Sequence, residues 1–94
     1  MIIEIKKRAI HRTKIIEGQV KGLEKMIDSE TYCIDILTQS LAIQKALASL
    51  DKLVLENHLR THVTDMLSSG SDKVQQQAIK ELLDIYELSS VRGN

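Results

Sequence analysis

Ala9, Thr13, Ile16, Val20, Leu23 and Ile27 recur at alternating steps of four and three. That period predicts an amphipathic helix over about residues 3–28, with Lys7, Lys14 and Lys21 on its other face. The stretch Asp28-Ser29-Glu30-Thr31 supplies capping residues, and no Gly or Pro interrupts the aliphatic pattern from there to Leu67. One long second helix is expected. Ser68-Ser69-Gly70-Ser71-Asp72 reads as a turn, with Ser71 or Asp72 capping a third helix that runs to about Leu88. Val74, Ala78, Leu82 and Ile85 form its seam. The tail Ser89 to Asn94 lacks periodicity and is expected to fray. Gly18 and Gly22 each cost roughly 1 kcal/mol against Ala inside a helix, so either another helix approaches closely there or the first helix bends.

Composition strengthens the helical reading. The chain has no Pro, Phe or Trp and two Tyr, and Ala, Leu, Ile, Lys, Glu and Gln predominate. An all-α fold follows. The 94 residues make one small domain, 1–94, with a modest core, so association between chains is expected. No run approaches the ~20 apolar residues of a membrane span, and MIIEIKKR lacks the features of a secretion signal. These features predict a soluble, cytoplasmic protein with no membrane partner. Net charge is zero, yet residues 1–25 carry seven Lys or Arg against three Glu, and the remainder six against ten. The basic first helix is either a surface for a polyanion or an ordinary solvated face.

His58 and His62 lie four apart, so on a helix both imidazoles leave one face and can chelate one ion. Cys33, the lone cysteine, lies 25 residues before His58, or about 2500° at 100° per residue, close to whole turns. The two share a helical face but stand roughly 37 Å apart along the axis. An antiparallel neighbour related by a two-fold axis between positions 45 and 46 resolves this, because position n then faces position 91 minus n. Cys33 of one chain meets His58 of the other. Leu37 faces Val54, Ile36 faces Leu55 and Ser40 faces Asp51, whereas Gln44 facing Leu47 matches less well. Spacing alone leaves a second reading open, in which Cys33 is a small core residue and the histidines are surface polar groups.

Four segments resemble the CsoR/RcnR/FrmR repressors, the copper-sensitive operon repressor family. They are HRTKIIEGQVKGLEKMI from His11, TYCIDILTQSLAIQKAL from Thr31, ENHLRTHVTDML from Glu56 and AIKELLDIY from Ala78. The resemblance implies three helices per chain, an antiparallel dimer, and a disc-like tetramer made of two dimers. It places Cys33 and His58 on the family's metal ligands and His62 where the copper sensors usually carry a second Cys. Tyr32 and Glu81 match the Tyr and Glu that connect the copper site to the rest of the fold, Glu81 with an insertion of about three residues before it. Arg12, Lys14 and Lys21 fall on basic positions used for DNA, with Gln19 in the same motif. Ile15 stands where Arg is common. The implied function is a repressor that holds operator DNA when metal-free and is released by its inducer.

One thiolate and two imidazoles suit three-coordinate Cu(I). Zn(II), Ni(II) and Co(II) usually take four or more ligands and remain the alternative inducers. The family's nickel and cobalt sensors add an N-terminal His, and residues 1–10 contain none; His11 reads as a surface residue. Persulfide sensing needs two cysteines, and formaldehyde sensing lacks the family's N-terminal proline here. A zinc-dependent helical enzyme and a plain helical interaction protein are the readings from other classes. No substrate pocket is evident in the sequence, so a non-enzymatic role is expected.

Overall fold

A computed structural model describes the backbone of residues 1–92 and the side chains through residue 87. Every regular element is helical: α1 (Ile3–Asp28), α2 (Cys33–His58), a π turn (Leu59–Val63), α3 (Thr64–Leu67) and α4 (Asp72–Arg92). The chain divides into two compact units, residues 1–57 and His58 onward.

In the first unit α1 and α2 pair as an antiparallel hairpin. Ile5, Ala9, Arg12, Ile16, Gln19, Leu23 and Met26 are buried or half-buried along α1, and Ile36, Gln39, Ile43, Ala46, Leu50, Leu53 and Asn57 along α2. Both series step by three and four, the spacing of a two-helix seam. Polar bonds fix its register. Asn57, buried, accepts from the Ile2 N–H at 2.9 Å, and Gln39 Nε2 donates to the Gln19 carbonyl at 3.2 Å. Arg12 donates from its guanidinium to Ser49 Oγ midway between them.

This seam corrects the expected one. Thr13, Val20 and Ile27 are exposed, while Arg12, bonded to Ser49, and Gln19, whose backbone carbonyl accepts from Gln39, lie half-buried in the seam. The two glycines also separate. A Cβ at Gly22 would meet Gln39 at ordinary contact distance, whereas one at Gly18 would meet nothing.

Residues 28–31 close α1 instead of opening α2. Glu30 takes the left-handed conformation (φ 53°), its N–H donates to the Ile27 carbonyl at 3.0 Å, and the Thr31 N–H donates to the Met26 carbonyl at 2.9 Å. That pair of bonds is a Schellman closure, a position where glycine is usual.

In the second unit α3 packs on α4. Val63 and Ala78 are buried, with Val74 and Leu82 half-buried. Ser71 caps α4 by accepting the Val74 N–H at 3.4 Å, as the turn sequence predicts. Ile85 is exposed and drops out of the expected seam. Helix α4 continues through Arg92, so Ser89–Arg92 are helical where fraying was expected. Gly93 and Asn94 of that expected tail lie outside the described residues. The second helix likewise departs from expectation, since α-helical bonding stops at His58 and resumes at Thr64. Among the described residues no helix is long and apolar enough to cross a membrane.

Candidate metal centre and nucleic-acid interface

Cys33 is the first residue of α2, and its thiol is exposed. The core-cysteine reading therefore does not describe this chain. His58 closes α2, and His62 sits inside the π turn. Their ring centroids are 5.5 Å apart with planes tilted by 39°, so the two imidazoles form one local pair of nitrogen donors.

Helix α4 reaches this pair through Glu81, whose Oε2 lies 3.2 Å from His58 Nε2. Both side chains are about one-third exposed, at 35% and 39%. A polar contact this open contributes little to stability, so it matters mainly for orientation. Gln77 Nε2 reaches the other Glu81 oxygen at 3.5 Å from one turn earlier on α4. Tyr32, the residue before Cys33, is 70% exposed. Among the described residues no three His, Cys, Asp or Glu side chains of one chain gather as a metal-holding group. The structure thus sets His58 beside His62 on one side and Glu81 on the other, as two separate pairwise contacts, and places Cys33 and Tyr32 in the other unit.

The basic residues of α1 fall into two sets. Lys14 and Lys21 are exposed, as are Lys7, Arg8 and His11 one to two turns earlier. Lysines set out on a rigid helix in this way can neutralise phosphates and release counterions. Arg12 and Gln19 instead belong to the α1–α2 seam, where Arg12 holds Ser49 and the Gln19 carbonyl accepts from Gln39. The side-chain oxygen Oε1 of Gln19 is buried with no hydrogen-bond partner. Sequence reasoning missed Ser49, Gln39 and Asn57. The signal available for them was the three-four spacing of polar residues with the aliphatic ones.

Comparison with known proteins matches the chain's sequence and fold to one group. A family model described as metal-sensitive transcriptional repressor covers residues 5–87. The chain is 40% identical over 82 residues to the copper-sensing transcriptional repressor CsoR of Bacillus subtilis (strain 168), spanning 87% of this chain and 78% of that one. It is 34% identical over 84 residues to CsoR of Mycobacterium tuberculosis (strain ATCC 25618 / H37Rv), spanning 89% and 68%. Among solved structures, the copper-sensing repressor CsoR with Cu(I) from Geobacillus thermodenitrificans NG80-2 superposes with a TM-score of 0.81 at 37% identity, covering 96% of this chain and 90% of that one.

Proposed function

The chain belongs to the CsoR/RcnR family of metal-sensing transcriptional repressors, and from that premise we propose that it is a Cu(I)-responsive repressor, with residues 1–94 acting as one metal-sensing, DNA-binding domain. Its metal-free form holds operator DNA, and Cu(I) binding releases it. It is not an enzyme. The observation that carries the reading is the imidazole pair of His58 and His62 in a chain whose single thiol, Cys33, is exposed.

Thiolate and imidazole together form a soft to borderline donor set that fits Cu(I). Cys33 begins α2 and His58 ends it, so the thiolate and the imidazoles that share an ion come from two antiparallel chains. The apolar face of α2 supports that pairing: Leu37 and Val54, which would face each other, are 58% and 45% exposed in one chain. Two such dimers complete the homotetramer. A thiolate from one chain joined to imidazoles of another fixes two copies of α2 relative to each other. Helix α1, bonded to α2 through Arg12–Ser49 and Gln19–Gln39, carries that constraint through the seam residues Arg12 and Gln19 to the exposed Lys14 and Lys21 that face the DNA. Coupling of this kind is typically about 1 to 3 kcal/mol, roughly 5- to 150-fold in affinity.

The test is anaerobic binding of the protein to the DNA flanking its own coding region, with Cu(I), Zn(II), Ni(II), Co(II) and formaldehyde added separately. Release by Cu(I) at the lowest concentration is expected. Release by another inducer with Cu(I) inert would overturn the copper assignment. Absence of DNA binding by the metal-free protein would overturn the repressor mechanism.

A further inference from the structure

The backbone between the two histidines is not α-helical. Leu59–Val63 forms a π turn, and Thr64 closes it twice on one acceptor. The Thr64 N–H donates to the Leu59 carbonyl five residues back, and its hydroxyl donates to the same oxygen at 2.7 Å. Thr64 is exposed. Its side chain therefore fills no core, and its visible bond is this clamp.

The turn changes how the two rings meet. In an α-helix four residues overshoot a full turn by about 40°. With bonds to the fifth residue a turn takes more than four residues, so position 62 falls short of a full turn from position 58. An ideal π turn thus sets position 62 on the opposite side of His58's direction from the one an α-helix gives, and the centroids here stand 5.5 Å apart. One ring of the pair is held from α4, through Glu81 at 3.2 Å. The other depends on the turn. Single π turns within helices are rare and recur where side chains need a non-helical placement.

We propose that Thr64 is a positioning residue for the metal centre: by clamping the π turn it sets the separation and tilt of the His58–His62 pair. The proposal rests on reading those histidines as ligands, and the experiment separates the two ideas. Thr64→Val removes the hydroxyl while keeping the branched shape, and Thr64→Ser keeps the hydroxyl. Two quantities are measured on the full chain: the nuclear Overhauser effect between the two imidazoles in the metal-free protein, and Cu(I) affinity by competition with a chelator. Thr64→Val should lose the ring-to-ring effect and bind Cu(I) about tenfold more weakly, as expected for one lost hydrogen bond, with Thr64→Ser within about twofold of the parent. Thr64→Ala repeats the measurement if Thr64→Val lowers the melting temperature. Parent-like ring proximity and Cu(I) affinity in Thr64→Val, alongside impaired binding by His62→Ala, would overturn the positioning role alone. Unimpaired binding by His62→Ala would overturn the ligand assignment, and the positioning role with it.

Discussion

Glu81 Oε2 stands 3.2 Å from His58 Nε2, joining α4 to the residue that closes α2. A carboxylate at one ring nitrogen fixes the tautomer and leaves the other, Nδ1, as the nitrogen able to donate to a metal. Glu81→Ala should therefore leave Cu(I) bound, because the proposed donors, the Cys33 thiolate and both imidazoles, remain. The link from His58 to α4 is lost, so the occupied protein should stay on its operator. Parallel Cu(I) titrations and DNA-shift measurements check this. Full copper-induced release by Glu81→Ala would remove Glu81 from the coupling path.

Mixing experiments address the shared site. A Cys33→Ala chain combined with a His58→Ala,His62→Ala chain should regain one intact site per mixed dimer, whereas each variant alone binds Cu(I) weakly. Native mass spectrometry counts the mixed dimers and chelator competition their tight sites. Mixed dimers without tight binding would contradict a site built from two chains.

On α1, Lys14→Ala or Lys21→Ala should weaken operator binding and reduce the slope of log affinity against log salt by about 1 each. Cu(I) affinity should be unchanged, since neither lysine belongs to the proposed donor set. Arg12→Ala should behave differently. It also removes the bond to Ser49 within the hairpin, so the melting temperature should fall together with DNA affinity. A salt slope unmoved in both lysine variants would place the DNA surface elsewhere.

Glu30→Gly should stabilise the chain by about 1 kcal/mol, because Glu30 occupies a left-handed conformation (φ 53°) that costs a side-chain-bearing residue about that much. Denaturant titration at fixed protein concentration measures it. A destabilised Glu30→Gly would mean that the Glu30 side chain contributes more than its backbone strain costs.

Helix α1 was legible to the residue, because its aliphatic period is long and unbroken. Which stripe of it faces α2 was not. The aliphatic period favours Thr13, Val20 and Ile27, while the hairpin turns Arg12 inward through its bond to Ser49, 37 residues away, and half-buries Gln19. The close of α1 was obscured by Glu30, which fills a position where glycine would have announced the turn. The π turn left no trace in the hydrophobic pattern, since a one-residue slip in a helix rich in aliphatic residues on several faces still reads as helix. At the candidate site, four-residue spacing was enough to pair His58 with His62. The approach of Glu81 followed only from resemblance, because periodicity within α4 does not say which of its residues meets another helix.

The interior is thin: among the described residues six apolar ones are buried, Ile5, Ile16, Ile43, Leu53, Val63 and Ala78, and none of the larger side chains is completely enclosed. In the dimer proposed above, whose chains would complete their interior by pairing, the midpoint of unfolding is a property of the solution as much as of the sequence. Each tenfold dilution of a folded dimer lowers its margin by about 1.4 kcal/mol. For such a dimer, how much of the protein a cell makes helps to decide how much of it is folded at all.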